Sequence, residues 1–306
     1  EHGIDPTDHV FCGGGYQLGN RFFRCLGRHG SVDMRRAIAK SCNTYFYAMT
    51  NRIGYDKVAP MAKRLGLGQK FDLPVVSQNY GTVPDSAWKL RRYQKNKRQI
   101  ERPDWTRSDT LNAAIGQGFL IVNPLQLAVM AARIASGRDL QPQLIGVHKK
   151  PPELIGLEPK HLEIVRGGMW QVVNGDGTAG ASRLPLEGIE MSGKTGTAQV
   201  RRLSASASRG QGGDWKYRDH GLFVFFAPSD KPRYAGAVVI EHGLGGARAA
   251  APVAKDVLTF LFDRNKALAA LGALEEQWGG TLAERNARRA AAIEAAAQAA
   301  LARPSA

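Results

Sequence analysis

The sequence lacks the features that mark several large classes of protein. In 306 residues it has no apolar run near the roughly 18 residues that a membrane-spanning helix needs. With only three cysteines it cannot build the dense disulfide framework of a small secreted domain. It also lacks an initial methionine and any signal-like start after Glu1. We therefore interpret the chain as a piece of a longer protein whose membrane anchor or targeting signal lies upstream.

Acidic residues are scarce beside basic ones. Lys and Arg number 42 against 27 for Asp and Glu, a net charge of +15. This balance favours anionic partners: nucleic acid, a phospholipid surface, or a substrate that carries carboxylates or phosphates. Eight of the basic residues lie in segment 89–107. We interpret this segment as a solvated face, with nucleic-acid binding of steep salt dependence as the alternative.

The spacing of apolar residues and the positions of Gly and Pro predict an α+β fold. Helical spacing of apolar residues predicts helices in 31–66, 124–137, 159–173 and 250–262. Strands are predicted over 188–200, 221–227 and 234–241. Because helices come first and the strands cluster before a closing helix, we expect an antiparallel sheet flanked by helices rather than a doubly wound sheet.

Composition divides the chain into parts. The main domain is expected over 1–262, and the Ala-, Arg- and Glu-rich remainder, 263–306, is expected to be an exposed helical tail without an assigned function. Residues 1–30 contain three consecutive glycines and all but one of the three cysteines. We expect them to form a cysteine-bearing loop region rather than core.

The densest motif runs from Ser192 to Gln199. With Gly188, the triplet Gly193-Lys194-Thr195 formally satisfies the P-loop pattern, which would indicate nucleotide binding. A P-loop requires a helix that opens at its lysine, whereas here a further glycine follows at once and the preceding residues alternate as in a strand. Nucleotide binding is therefore the weaker alternative.

The favoured interpretation places the same residues on an edge strand that lines a cleft. There the Lys194 ammonium group would attract an anionic substrate terminus, and the hydroxyls of Thr195 and Thr197 could donate hydrogen bonds to a carboxylate. Gly196 has no side chain, so a substrate backbone could approach closely. This combination predicts a binding site for an acyl donor with a free carboxylate.

A second motif, Ser41-Cys42-Asn43, lies at a break between two predicted helices. Ser-x-Asn followed at a distance by Lys-Thr-Gly gives two of the three signatures of penicillin-interacting serine enzymes. Further motifs that carry a resemblance are Gly27-x-His29-Gly30, Ile115-Gly116-Gln117-Gly118, Asn123-Pro124-Leu125-Gln126 and His220-Gly221-Leu222-Phe223. On these motifs the sequence resembles the class B penicillin-binding proteins, and most closely their rod-elongation branch, penicillin-binding protein 2.

The resemblance implies a penicillin-binding transpeptidase or serine β-lactamase-like fold and a periplasmic D,D-transpeptidase held to the inner membrane by an upstream segment. Its substrates would be peptidoglycan stem peptides and lipid-linked precursors, its inhibitors β-lactams, and its partners a RodA-type glycosyltransferase and MreC. It implies no nucleic acid and no catalytic cofactor. A β-lactamase or β-lactam-sensing receptor of the same fold is the alternative.

The resemblance also implies residue roles. Ser41 would relay a proton to the departing amine, Asn43 would bind the donor peptide, and Lys194 would complete the field around Ser41. Thr195 and Thr197 would hold the terminal carboxylate, and the Thr197 N–H would form half of the oxyanion hole.

One family signature is out of place. The nucleophilic Ser-x-x-Lys should precede Ser41 by a distance that puts it upstream of Glu1, whereas the one such motif in the chain, Ser86 to Lys89, follows Ser41. We therefore do not interpret Ser86 as the nucleophile, and we expect the chain by itself to lack the covalent step.

The cysteines suggest a metal site. Cys12, Cys25, His29 and Cys42 have the spacing Cys-x12-Cys-x3-His-x12-Cys, which suits a closed structural zinc site. A Cys12–Cys25 disulfide and three unrelated cysteines are the alternatives. The resemblance implies that relatives can bind zinc through the equivalents of His29 and Cys42, with acidic residues in place of other cysteines, so Asp8 is a further candidate.

Overall fold

The structure is a computed structural model that describes residues 3–75, 78–146, 151–200 and 214–301. Its helices are α1 (Met34–Lys40), α2 (Asn43–Ile53), α3 (Tyr55–Arg64), α4 (Ser86–Lys95), α5 (Arg107–Ala114), α6 (Pro124–Ser136), α7 (Pro159–Asn174), α8 (Ala251–Phe262), α9 (Arg264–Gln277) and α10 (Leu282–Leu301). Its strands are β1 (Val10–Cys12), β2 (Gly15–Leu18), β3 (Arg21–Arg24), β4 (Gly30–Val32), β5 (Ser192–Ala198), β6 (His220–Ala227) and β7 (Tyr234–Ile240). The predicted α+β class is confirmed.

The main sheet is antiparallel and has the order β5-β6-β7. Its middle strand carries Phe223 and Phe226, which are fully buried, so β6 forms the centre of the core. Helix α7 packs on β5, and α6 packs on β6 and β7. Because β5 pairs on one side only among the described residues, the Lys-Thr-Gly motif lies on an edge strand, as predicted.

The first thirty residues differ from the prediction of loop. Residues 10–32 form two small antiparallel pairs, β1 with β4 and β2 with β3, and Cys12 and Cys25 are buried. Strands of three or four residues are too short to show the alternation that reveals a strand in sequence. They are ordered by packing on α2, where the Phe23 ring meets Tyr47 edge-on at 5.7 Å between centroids.

The basic segment 89–107 is mostly solvated, with one exception. Arg91, Arg92, Lys95, Lys97, Arg98, Arg102 and Arg107 are exposed. Lys89, by contrast, is buried and donates to Asp109 Oδ2 at 2.7 Å and to the Asp104 carbonyl at 2.8 Å. Burial raises the pKa of Asp109, but the hydrogen bonds from Lys89 and Thr106 outweigh it and the net shift is downward.

The out-of-place Ser-x-x-Lys has a structural role. The Ser86 hydroxyl donates to Asp56 Oδ2 at 2.6 Å, at the start of α4, while Lys89 is held by Asp109. Both side chains are engaged in holding α4 in place. This agrees with the expectation that Ser86 is not a nucleophile.

The chain divides into two compact units, 1–255 and 256–306. Within the second, α9 has no buried residue, and Arg285 lies over the Trp278 ring at 5.1 Å from its centroid. No helix in the described part of the chain combines the length and apolar character needed to cross a bilayer.

Removal of Lys89 is expected to destabilise the first compact unit, residues 1–255, which we call the main unit. Lys89→Met leaves the Asp109 carboxylate partly buried without its cation, which costs about 3–5 kcal/mol in the free energy of unfolding. Arg102→Met is the control, because Arg102 pairs with Asp104 at an exposed site where solvent screens the pair, so its loss should cost far less than the loss of Lys89. Urea unfolding measures both, and equal losses would contradict the buried ion pair.

Candidate active site and metal centre

The break between α1 and α2 sets the orientation of the Ser-x-Asn motif. Asp33 caps α1 by accepting from the Arg36 N–H at 2.7 Å, and α1 ends at Ser41 with φ 54° and ψ 45°. This left-handed conformation is uncommon for a residue other than glycine and often marks a functional position. Helix α2 then starts at Asn43.

The two ends of the motif face away from its middle residue. Ser41 and Asn43 are half-buried, whereas Cys42 is fully buried. The Asn43 side-chain amide donates to the Arg24 carbonyl at 3.4 Å, so it contacts β3. Ser41 points instead toward β5.

Ser41 and Lys194 meet across the site. The Lys194 ammonium group donates to the Ser41 hydroxyl and, at 2.9 Å, to the Thr195 carbonyl. Burial lowers the pKa of Lys194 to about 8, because an ammonium ion loses hydration there. A lysine with this pKa can give and take a proton near neutral pH, as a proton relay with Ser41 requires.

The Lys-Thr-Gly strand is held from both flanks. Thr195 Oγ1 lies 2.8 Å from Thr178 Oγ1, and the Gln117 side chain donates to the Thr197 carbonyl at 3.0 Å. Behind the strand, a Cβ at Gly246 would lie 2.7 Å from the Gly196 carbonyl oxygen, so only glycine fits there. Thr197 remains exposed at the edge.

The P-loop alternative is wrong. Lys194 and Thr195 lie in the middle of β5, paired with Val224 and Phe223 of β6, where a P-loop would begin a helix.

Sequence reasoning predicted a turn after α7 but missed the contacts that this turn makes with the site. Asp176 Oδ2 lies 2.9 Å from Lys40 Nζ and 3.5 Å from Arg36, and Thr178 in the same turn contacts Thr195. The hydrogen bond from Lys40 lowers the pKa of Asp176. The sequence revealed this segment only as a turn, because nothing local indicates which distant residues its side chains contact.

The four predicted metal ligands come together. One donor atom each from Cys12, Cys25, His29 and Cys42 lies within 4.8 Å of all the others. His29 Nδ1 is 3.5 Å from both the Cys12 and the Cys25 sulfur, and the Cys25 and Cys42 sulfurs are 4.0 Å apart. Zinc bond lengths give tetrahedral edges of about 3.6 Å for N···S and about 3.8 Å for S···S. The residues therefore fit a tetrahedral ion.

The alternatives for the cysteines fare less well. All three carry thiols rather than a disulfide. Asp8, the further candidate ligand, forms an ion pair with Arg52 at 2.9 Å instead. Cys25 and Cys42 share a hydrogen bond that lowers the pKa of Cys25 and raises that of Cys42. Cys25 is thus the thiol that this contact favours as a thiolate, the form that binds metal.

An α+β domain in which a half-buried lysine of a Lys-Thr-Gly edge strand meets the serine of a Ser-x-Asn motif carries two signatures of the penicillin-interacting serine enzymes. More closely, the chain belongs to the penicillin-binding protein transpeptidase domain family, whose model matches residues 1–259. The family resemblance seen in the motifs is confirmed.

Curated relatives are peptidoglycan D,D-transpeptidases. MrdA of Acinetobacter baumannii is 34% identical over 252 residues, which cover 78% of this chain and 36% of that protein. MrdA of Haemophilus influenzae is 29% identical over 282 residues, 86% of this chain and 42% of that protein. The chain thus spans less than half the length of these relatives.

Solved structures show the same fold. PBP2 of Pseudomonas aeruginosa, in complex with WCK 5153, is 35% identical with a TM-score of 0.68, over 84% of this chain and 54% of that one. PBP2 of Helicobacter pylori, in complex with MreC, is 29% identical with a TM-score of 0.72, over 85% of this chain and 46% of that one.

The lowered pKa of Lys194 predicts a pH dependence of stability. Between about pH 8 and about pH 10.4, the pKa of an unfolded lysine, the unfolded chain binds more protons than the folded one. The free energy of unfolding should therefore rise with pH in this window, and Lys194→Met should remove the rise.

Urea unfolding at several pH values between 7 and 10.5 measures this, with Lys231→Met as the control at an exposed lysine. Parallel curves for wild type and Lys194→Met would show that Lys194 titrates as an ordinary solvated lysine.

Proposed function

We propose that the chain is the transpeptidase domain of an elongation-type peptidoglycan D,D-transpeptidase. The observation that carries this proposal is the contact between Lys194 and Ser41, which joins the Lys-Thr-Gly and Ser-x-Asn motifs at one site. The family and the curated relatives support the same activity. A β-lactamase or receptor is less favoured, since these relatives are transpeptidases.

The proposed reaction has two steps. A serine upstream of this chain attacks the carbonyl carbon between the last two D-Ala residues of a donor stem peptide, an ester forms, and the peptide C–N bond breaks. The terminal D-Ala leaves with a proton that Ser41 relays. An acceptor stem-peptide amine then attacks the ester, forms the cross-link, and returns the proton to the serine oxygen.

Several residues of the chain would have distinct roles in the first step, the acylation of the serine. The Thr195 and Thr197 hydroxyls would bind the donor carboxylate, and Asn43 would bind the donor peptide. The Thr197 N–H would stabilise the oxyanion as it develops, and Lys194 would supply positive charge and exchange a proton with Ser41.

The resemblance also supports a location and partners. We propose that the domain works at the periplasmic face of the inner membrane, anchored by an upstream segment, beside a RodA-type glycosyltransferase and MreC. The Helicobacter pylori relative was solved with MreC, and another relative belongs to a peptidoglycan synthase complex that couples polymerization and crosslinking. Lipid-linked precursors and β-lactams are the expected ligands.

Loss of Lys194 should slow acylation. In a longer chain that carries the nucleophilic serine, Lys194→Ala removes a charge aimed at the transition state and should lower the rate of acylation by a fluorescent penicillin about a hundredfold, or about 3 kcal/mol. Lys231→Ala is the exposed control. A change below about threefold, with an unaltered melting temperature, would show that Lys194 lies outside the reacting centre.

We also propose that Cys12, Cys25, His29 and Cys42 hold a structural zinc ion. Three cysteine sulfurs and one imidazole nitrogen form a donor set that zinc prefers. Zinc would contribute folding free energy here rather than a catalytic step. Its ligands would tie β1 and the end of β3 to Cys42, between Ser41 and Asn43.

Metal analysis tests the zinc site. Protein purified without chelator should contain about one zinc per chain, and three thiols should titrate after denaturation. Cys25→Ser should lose the metal and lower the melting temperature, whereas Ser31→Ala, an exposed position nearby, should do neither. An absence of metal together with a single titratable thiol would establish the Cys12–Cys25 disulfide.

A further inference from the structure

An aromatic and cationic patch lies beside the Ser-x-Asn motif. Phe11 is 76% exposed and Phe22 55% exposed, and Arg28 is exposed as well. We call Phe11, Phe22 and Arg28 the hairpin patch. Exposed apolar side chains grouped beside a cation often mark a binding site, so the patch points to a ligand.

The three side chains of the patch lie beside three consecutive glycines. Phe11 lies beside Gly13, Arg28 beside Gly14, and Phe22 over Gly15, with contacts of 3.6, 3.4 and 2.3 Å to the position a Cβ would take at each. Consecutive Cα atoms are about 3.8 Å apart, so the three side chains surround one short stretch of backbone. A side chain at residue 15 would displace the Phe22 ring.

The backbone that carries the patch is linked to the candidate active site. Residue Gly15 pairs with Arg24, whose carbonyl accepts from the Asn43 side chain. One residue further, Cys25 joins the metal cluster that includes Cys42. The hairpin therefore flanks the Ser-x-Asn motif through Asn43, whereas β5 reaches the motif through Ser41.

Charge defines what the patch can bind. Arg28 is exposed and has no ion-pair partner among the residues that the structure describes. A guanidinium group binds carboxylates in a bidentate manner, and phenylalanine rings cover aliphatic groups. A short peptide with free carboxylates matches both properties.

We propose that the hairpin patch binds the acceptor stem peptide. The inference rests on the proposed function, in which the donor carboxylate occupies β5 and a second peptide must bring its amine to the ester. The hairpin reaches the same motif through its other end, so an acceptor bound there would not compete with the donor for Thr195 and Thr197. Arg28 binds an acceptor carboxylate, and Phe11 and Phe22 pack on its aliphatic parts.

The test separates the two steps of the reaction. A longer chain with the nucleophilic serine is assayed for acylation by a fluorescent penicillin, which needs no acceptor. It is then assayed with a donor pentapeptide and a tetrapeptide acceptor, which lacks the terminal D-Ala and cannot act as a donor. The measured quantities are the ratio of aminolysis to hydrolysis and the KM for the acceptor.

Arg28→Glu should leave acylation within about twofold of wild type, lower the aminolysis-to-hydrolysis ratio about tenfold and raise the acceptor KM. Arg28→Lys should give an intermediate ratio, because it keeps the charge but loses the bidentate geometry. Arg21→Glu is the matched control. It makes the same charge change on β3, where the Arg21 side chain lies over the Phe23 ring and therefore on the strand face opposite Phe22, and it should leave both steps unchanged.

Each of the other possible outcomes would contradict a specific part of the proposal. If Arg28→Glu leaves the aminolysis-to-hydrolysis ratio unchanged, the patch does not bind the acceptor. This is the result expected of a patch that binds a protein partner instead. A parallel loss of acylation and aminolysis shows that Arg28 acts only on stability. A wild-type chain that penicillin does not acylate refutes the proposed function itself, and the acceptor assignment falls with it.

Discussion

The contact between the Lys194 ammonium group and the Ser41 hydroxyl is the interaction on which the main unit depends. It joins residues 153 positions apart, one on an edge strand and the other at a break between helices. Burial makes the charged form of Lys194 costly, and its ammonium group finds partners only if both backbones are held in register. Each surrounding element contributes by fixing the backbone at Ser41, the backbone of β5, or both.

One short segment holds both. The turn after α7 reaches the serine side through Asp176, which pairs with Lys40 next to Ser41. It reaches the strand side through Thr178, which contacts Thr195. An exposed ion pair such as Asp176–Lys40 contributes little stability by itself. The pair matters because it fixes the position of the turn. A shift of the turn would move the Ser41 side and the β5 side of the site in the same direction, so their separation would change little.

Features within one element could be predicted from sequence, and pairings between distant elements could not. The periodicity of α7 and the apolar run of β6 were sufficient to predict both elements within one residue at each end. The convergence of Cys12, Cys25, His29 and Cys42 likewise followed from their spacing. By contrast, the Asp176 contact with Lys40 spans 136 positions and looks in sequence like two ordinary surface charges. Lys89 was likewise hidden in a solvated run, since its partner Asp109 lies on another helix.

The hairpin of β2 and β3 obeys a different constraint. A pair of four-residue strands is marginally stable on its own, and half of its residues face solvent. Packing of Phe23 on α2 orders the inner face, but the outer face depends on how the hairpin ends are fixed. Cys25 fixes one end, at the cluster that contains Cys42. A metal ion there would therefore act on Ser41 and Asn43 through Cys42, which lies between them, and on the hairpin through Cys25. The α7 turn supports the Lys194–Ser41 contact separately, through Lys40 and Thr195.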